Sequence, residues 1–62
     1  MIIPDFTKNE ENKTLMYFSL DGKKANELMD SLEKFYSGYS EMKPETVDGK
    51  KYIRVSIDYT DF

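Results

Sequence analysis

The residues able to do covalent or acid–base chemistry are few. The chain holds no histidine and no cysteine, so it lacks the usual general base, the thiolate nucleophile and the soft ligands of a zinc site. What remains are carboxylates, lysines and hydroxyls. Glu10 with Glu11, and Asp58 with Asp61, are paired acids that could in principle do acid–base work. They read instead as a solvated loop and a solvated strand end, because nothing around them suggests a cleft. The three glycines, at 22, 38 and 49, are isolated and form no phosphate-cradling loop. Asp5-x-Thr7-x-Asn9 begins like a calcium loop, but glycine is missing from the sixth position and Met16 stands at the twelfth. Asn12-Lys13-Thr14 is a formal glycosylation sequon with no secretory route to use it. The sequence therefore reads as a non-enzyme without metal or cofactor.

Two other constellations could recognise a partner. Lys23 and Lys24 sit in the first turn of a helical pattern, where backbone N–H groups already attract anions and the helix dipole disfavours positive charge. Two exposed lysines that serve solubility are the simpler account. The second constellation alternates along residues 50–59, where Tyr52, Arg54 and Ser56 interleave with Ile53, Val55 and Ile57. Tyrosine and arginine dominate binding hot spots, since they offer large contact area with few rotatable bonds.

Which of these side chains share a face depends on register. Asp48-Gly49 lies between two strand-forming runs and is a strong signal for a type I′ hairpin. That turn pairs Val47 with Lys50, so 46 opposes 51, 44 opposes 53 and 42 opposes 55. Opposed residues share a face. Met42, Pro44, Ile53, Val55, Ile57 and Tyr59 form the core face. Glu41, Lys43, Glu45, Tyr52, Arg54, Ser56 and Asp58 form the outer one. Pro44 marks its strand as an edge.

Residues 21–37 carry a helical stripe of Ala25, Leu28, Met29, Leu32, Phe35 and Tyr36. Asp21 is the expected N-cap and Gly38 the residue just past the helix. Thr14–Leu20 reads as a strand with bulk on both faces. It is expected to pair, antiparallel, with the free side of residues 50–59. The polar run Thr7–Lys13 reads as an exposed loop. Residues 2–6 could add a fourth strand beside 14–20.

The expected architecture is a single small α+β domain spanning residues 1–62. It is an antiparallel sheet of three strands, or four with residues 2–6 at an edge, and one helix on one face (β-α-β-β or β-β-α-β-β). Sixty-two residues bury only about 60% of the unfolded chain's surface, and no disulfide can compensate. Oligomerisation or a partner gains weight accordingly. No apolar stretch is long enough to cross a membrane, and the N-terminus has no signal-peptide pattern. The expected location is cytoplasmic. Lysine makes up most of the basic residues, and isoleucine, tyrosine and asparagine are frequent, which fits an AT-rich genome such as a low-GC bacterium or its phage.

With the helix on the core face, the outer face is left uncovered. It gathers Leu15 and Tyr17 with Lys43, Tyr52, Arg54 and Ser56 as a protein-binding surface. The function this supports is a small protein-binding regulator or inhibitor, phage or mobile-element encoded, that occludes a partner surface with this face or with the edge strand Glu41–Val47. Replacing Tyr17, Tyr52 and Arg54 by alanine is expected to abolish binding with little loss of fold. One alternative is single-stranded nucleic-acid binding on an aromatic, basic sheet. The net charge of −3 disfavours it. Another is a homodimeric accessory subunit whose outer faces pack together.

Overall fold

The computed structural model describes residues 2–58. Four strands and one helix follow in the order β1 (Phe6–Glu10), β2 (Lys13–Ser19), α1 (Ala25–Phe35), β3 (Glu41–Val47) and β4 (Lys50–Asp58). The strands form one antiparallel sheet ordered β1-β2-β4-β3. The α+β reading holds, in its four-strand form.

The β3–β4 hairpin has the expected register, with Val47 opposite Lys50 and Pro44 opposite Ile53. Asp48 and Gly49 both take positive φ, at 52° and 80°, as a type I′ turn demands. β4 is central and its other neighbour is β2, with Met16 opposite Val55 and Phe18 opposite Ile53.

The N-terminal half departs from expectation. The fourth strand is Phe6–Glu10, not residues 2–6, and the turn is at Glu11-Asn12. Thr7, Lys8, Asn9 and Glu10 are all exposed. An edge strand needs one ladder and no apolar alternation, so a polar run can supply it.

The helix is shorter than the apolar pattern. It begins at Ala25 with Lys24 as N-cap, whose side chain makes no capping hydrogen bond. Asp21 is not the cap. Asp21-Gly22 is a second Asp-Gly turn, in which the Lys23 N–H donates to the Leu20 carbonyl at 3.0 Å and Gly22 takes φ 66°. Positive φ at the third residue of a β-turn is the demand of type II geometry, which glycine meets without strain. At the far end the Tyr36 N–H donates to the Leu32 carbonyl at 2.8 Å.

The main core lies between α1 and one face of the sheet. Met16, Phe18, Leu28, Leu32, Ile53 and Val55 are buried there, with Ile2, Leu20, Ala25, Met29, Tyr36, Tyr39, Met42 and Ile57 packed around them. Phe35, expected in the stripe, is 56% exposed. Pro44 is on the core side of its strand but exposed. Tyr59 lies outside the described residues. The Tyr36 hydroxyl donates to the Ile2 carbonyl at 2.6 Å, tying the segment before β1 to the helix end. No helix among the described residues is long and apolar enough to cross a membrane.

Candidate functional site

The strand registers place Leu15, Tyr17, Lys43, Tyr52, Arg54 and Ser56 together on the sheet face turned away from α1. β1 adds Phe6 opposite Tyr17 and Lys8 opposite Leu15. The face is not the open platform expected of it. Tyr17 and Ser56 are 2% exposed and Leu15 is 5% exposed, although α1 packs on the opposite face of the sheet. Around Tyr17 the covering comes from side chains of the same face.

Aromatic packing accounts for much of it. Phe6 stacks on Tyr17 with ring centroids 4.5 Å apart and planes 9° from parallel. Tyr52 meets Phe6 edge-on at 5.2 Å and Tyr17 edge-on at 6.1 Å. Each such pair is worth about 0.5–1.5 kcal/mol beyond its area burial. The Lys8 ammonium sits 5.5 Å from the Tyr17 ring centroid, within reach of a cation–π attraction.

A polar chain continues the cluster across the sheet. The Tyr17 hydroxyl reaches from β2 over β4 and donates to Glu45 Oε2 on β3 at 2.8 Å. Arg54 Nη1 donates to Glu45 Oε1 at 2.6 Å. Arg54 Nη2 donates to Glu41 Oε1 at 2.5 Å. Lys43 adds a looser ion pair to Glu41 at 3.7 Å. Burial pushes the Tyr17 hydroxyl above its ordinary pKa, and the hydrogen bond to Glu45 pushes it further. The bond from Arg54, then the charge of Lys43, holds the Glu41 carboxyl below its ordinary range. Burial works against the Arg54 charge, but the bond to Glu41 and the charges of Glu45 and Glu41 outweigh it and leave its pKa raised. Arg54 Nε and Ser56 Oγ are buried with no hydrogen-bond partner among the described residues.

The six residues read from sequence therefore divide by role. Leu15, Tyr17 and Ser56 are a floor, and removing Tyr17 perturbs the fold as well as any contact. Tyr52 and Arg54 are half-buried, and Lys43 is exposed. Phe6, Glu45 and Glu41 belong to the same surface and were missed as site residues. In sequence Phe6 is the last of residues 2–6, and β1 lies two strands from the strand that carries Tyr52. Its membership follows only from the β1 register.

The edge strand β3 is less accessible to a docking strand than its position suggests. The Leu20 N–H donates to the Lys51 carbonyl, so Lys51, Ile53 and Val55 turn their main-chain groups toward β2. Tyr52, Arg54 and Ser56 then turn toward β3, and their partners Glu45, Lys43 and Glu41 turn back toward β4. Met42, Pro44 and Thr46 are left to present the free edge. Proline at its middle removes that edge's central donor.

A groove of about 880 Å³ opens between the start of α1 and the β3–β4 hairpin, lined in part by Lys23, Lys50, Lys51, Asp5 and Asp21. The groove is large enough for a small ligand, but its lining mixes both signs of charge, and no cluster of three or more acidic side chains gathers among the described residues to hold a metal ion. Comparison with protein-family models, with curated proteins and with solved structures finds no match to this chain.

Proposed function

We propose that this chain is a small non-enzymatic protein-binding module, a cytoplasmic regulator or inhibitor that acts by occluding a partner surface. Its contact face is the outer face of the sheet, with Phe6, Tyr52 and Arg54 as anchors and Lys43 at the rim. The observation that carries this reading is preorganisation. The rings of Phe6 and Tyr52 are braced by buried Tyr17, and Arg54 is held by two carboxylates, yet all three keep part of their surface exposed on a face that the helix leaves open. Anchors already fixed in place lose little conformational entropy on binding. The nucleic-acid alternative is less well supported. Glu41 and Glu45 compensate the Arg54 charge, and Phe6 occupies a face of the Tyr17 ring on which a base would stack.

The test compares three immobilised proteins in extract from the source cell, or from its host if the chain is phage-encoded. These are the native chain, F6A/Y52A, and a control, E27A, altered on the exposed side of α1. Circular dichroism must first show all three folded. A protein retained by the native chain and by E27A, and lost by F6A/Y52A, supports the reading. Equal retention by all three refutes the face assignment.

A further inference from the structure

The sheet has two edges, and only one is blunted. Pro44 interrupts β3 at an outward-facing position, as described above. At β1 the Asp5 N–H donates to the Tyr17 carbonyl at 2.8 Å, so Tyr17 turns toward β1 and its partner Phe6 turns toward β2. By alternation Lys8 and Glu10 also turn inward, and Thr7 and Asn9 present their N–H and C=O groups to solvent. Both residues are exposed. This edge keeps its donors and acceptors intact, and an edge in that state is a template for another strand.

We infer that β1 pairs antiparallel with β1 of a second copy of this chain, forming a continuous two-fold sheet. Charge selects the occupant and the register. Pairing must set out-turned residues against each other, which leaves three ways to overlap. Thr7 opposite Thr7 pairs no charges and runs into Asp5, whose N–H is already committed to Tyr17. Thr7 opposite Asn9 brings Lys8 against Lys8 of the second copy, a like-charge pair. Asn9 opposite Asn9 sets Lys8 against the second copy's Glu10, and the two-fold axis repeats that ion pair. Lys8 and Glu10 share the outer face with Lys13, whose ammonium lies 3.6 Å from Glu10. Glu10 then sits between two lysines of different copies. The axis is perpendicular to the sheet, so both helices fall on one side and both outer faces on the other. The association leaves the outer faces open and does not depend on the protein-binding reading. It also differs from a dimer made by packing those faces together.

The interface is short, so the dimer is weak and is sought at high concentration. Sedimentation equilibrium of the native chain at low salt, from micromolar to millimolar, should show a monomer–dimer equilibrium; a monomer throughout overturns the inference. K8E and E10K should each weaken the dimer about tenfold or more, because two attractions become two repulsions. The swap K8E/E10K should restore it; no recovery in a swapped chain that circular dichroism shows folded overturns the pairing. The chain has no cysteine, so single cysteines report register. Under mild oxidation N9C should cross-link fastest, since its Cα atoms face each other across the axis at disulfide range. Faster cross-linking of T7C or K8C overturns the register.

Discussion

Tyr17 separates two accounts of the outer face: a solvent-facing surface, or a second small core made only of side chains. Replacing it by alanine removes a side chain from a residue 2% exposed, together with its stack on Phe6 and its edge contact with Tyr52. Truncation of a buried aromatic costs about 3–5 kcal/mol. At roughly 0.05–0.15 kcal/mol per residue, a chain of this length has about 3–9 kcal/mol in total. Y17A should therefore lose most of its stability. Y17F keeps the rings and deletes the hydrogen bond to Glu45. A bond to a charged acceptor is worth about 1.5–3 kcal/mol. Glu45 is 30% exposed and keeps Arg54, so water and the guanidinium recover part of it, and about 1–1.5 kcal/mol remains. For a domain of this size that lowers the melting temperature by about 5–10 °C. Thermal and urea melts followed by far-ultraviolet circular dichroism measure both variants. Combining Y17F with E45Q should cost less than the sum of the single changes, because both delete the same bond. If Y17A melts within a few degrees of the native chain, the second core does not exist and the face is merely crowded.

Three further outcomes follow from the same geometry. Glu41 ionises at lower pH in the folded chain than in the unfolded one. Its contribution to stability is therefore complete above the unfolded-state pKa and is lost as pH falls through the folded-state value. An NMR titration should place its midpoint below the usual carboxylate range and higher in R54A; an unmoved midpoint in R54A contradicts the assigned cause. Ser56 Oγ is buried without a partner among the described residues, so S56A should be neutral or stabilising by about 1 kcal/mol in a urea melt, and a clear loss would mean that the hydroxyl is bonded. P44V returns a donor to the β3 edge; it should associate or aggregate more readily than the native chain at equal concentration, with little change in melting temperature when dilute. Unchanged light scattering would show that Pro44 is not what protects that edge.

The β3–β4 hairpin and the central place of β4 were legible because their signals are local: one Asp-Gly pair, clean alternation and one proline. The second Asp-Gly pair, at 21–22, was overlooked. It sits where a capping aspartate also makes sense, and an apolar stripe begins just after it. The stripe also overreached at Phe35, because periodicity marks the side of a helix but not how far the sheet beneath it extends. Strand β1 was illegible by composition, since Thr7–Glu10 has no apolar alternation and is held by its ladder to β2. The six site residues were placed on the right face by register alone. Their division into floor and surface was not readable, because it depends on Tyr17 reaching over a whole strand to Glu45 and on Phe6 folding back onto Tyr17.

The pairing order has a kinetic consequence. β1–β2 and β3–β4 are neighbours in sequence, and each pair closes on a tight turn. Among the described residues the β2–β4 ladder is the strand pairing that joins them, across the segment that holds the helix. The sheet is thus two locally formed halves with a seam down the middle, and the loop-closure entropy of the fold falls on that seam. Thinning it with V55A should slow folding. Straining the far turn with G49A should also slow folding, because a half that forms before the seam already contains its turn in the rate-limiting step. Stopped-flow measurements on the two variants test this, and a G49A chain that only unfolds faster would show that the turn is not yet formed when the seam closes. The strand that carries Arg54 and Tyr52 on one side and Ile53 and Val55 on the other is then also the one on which the chain waits to become a single structure.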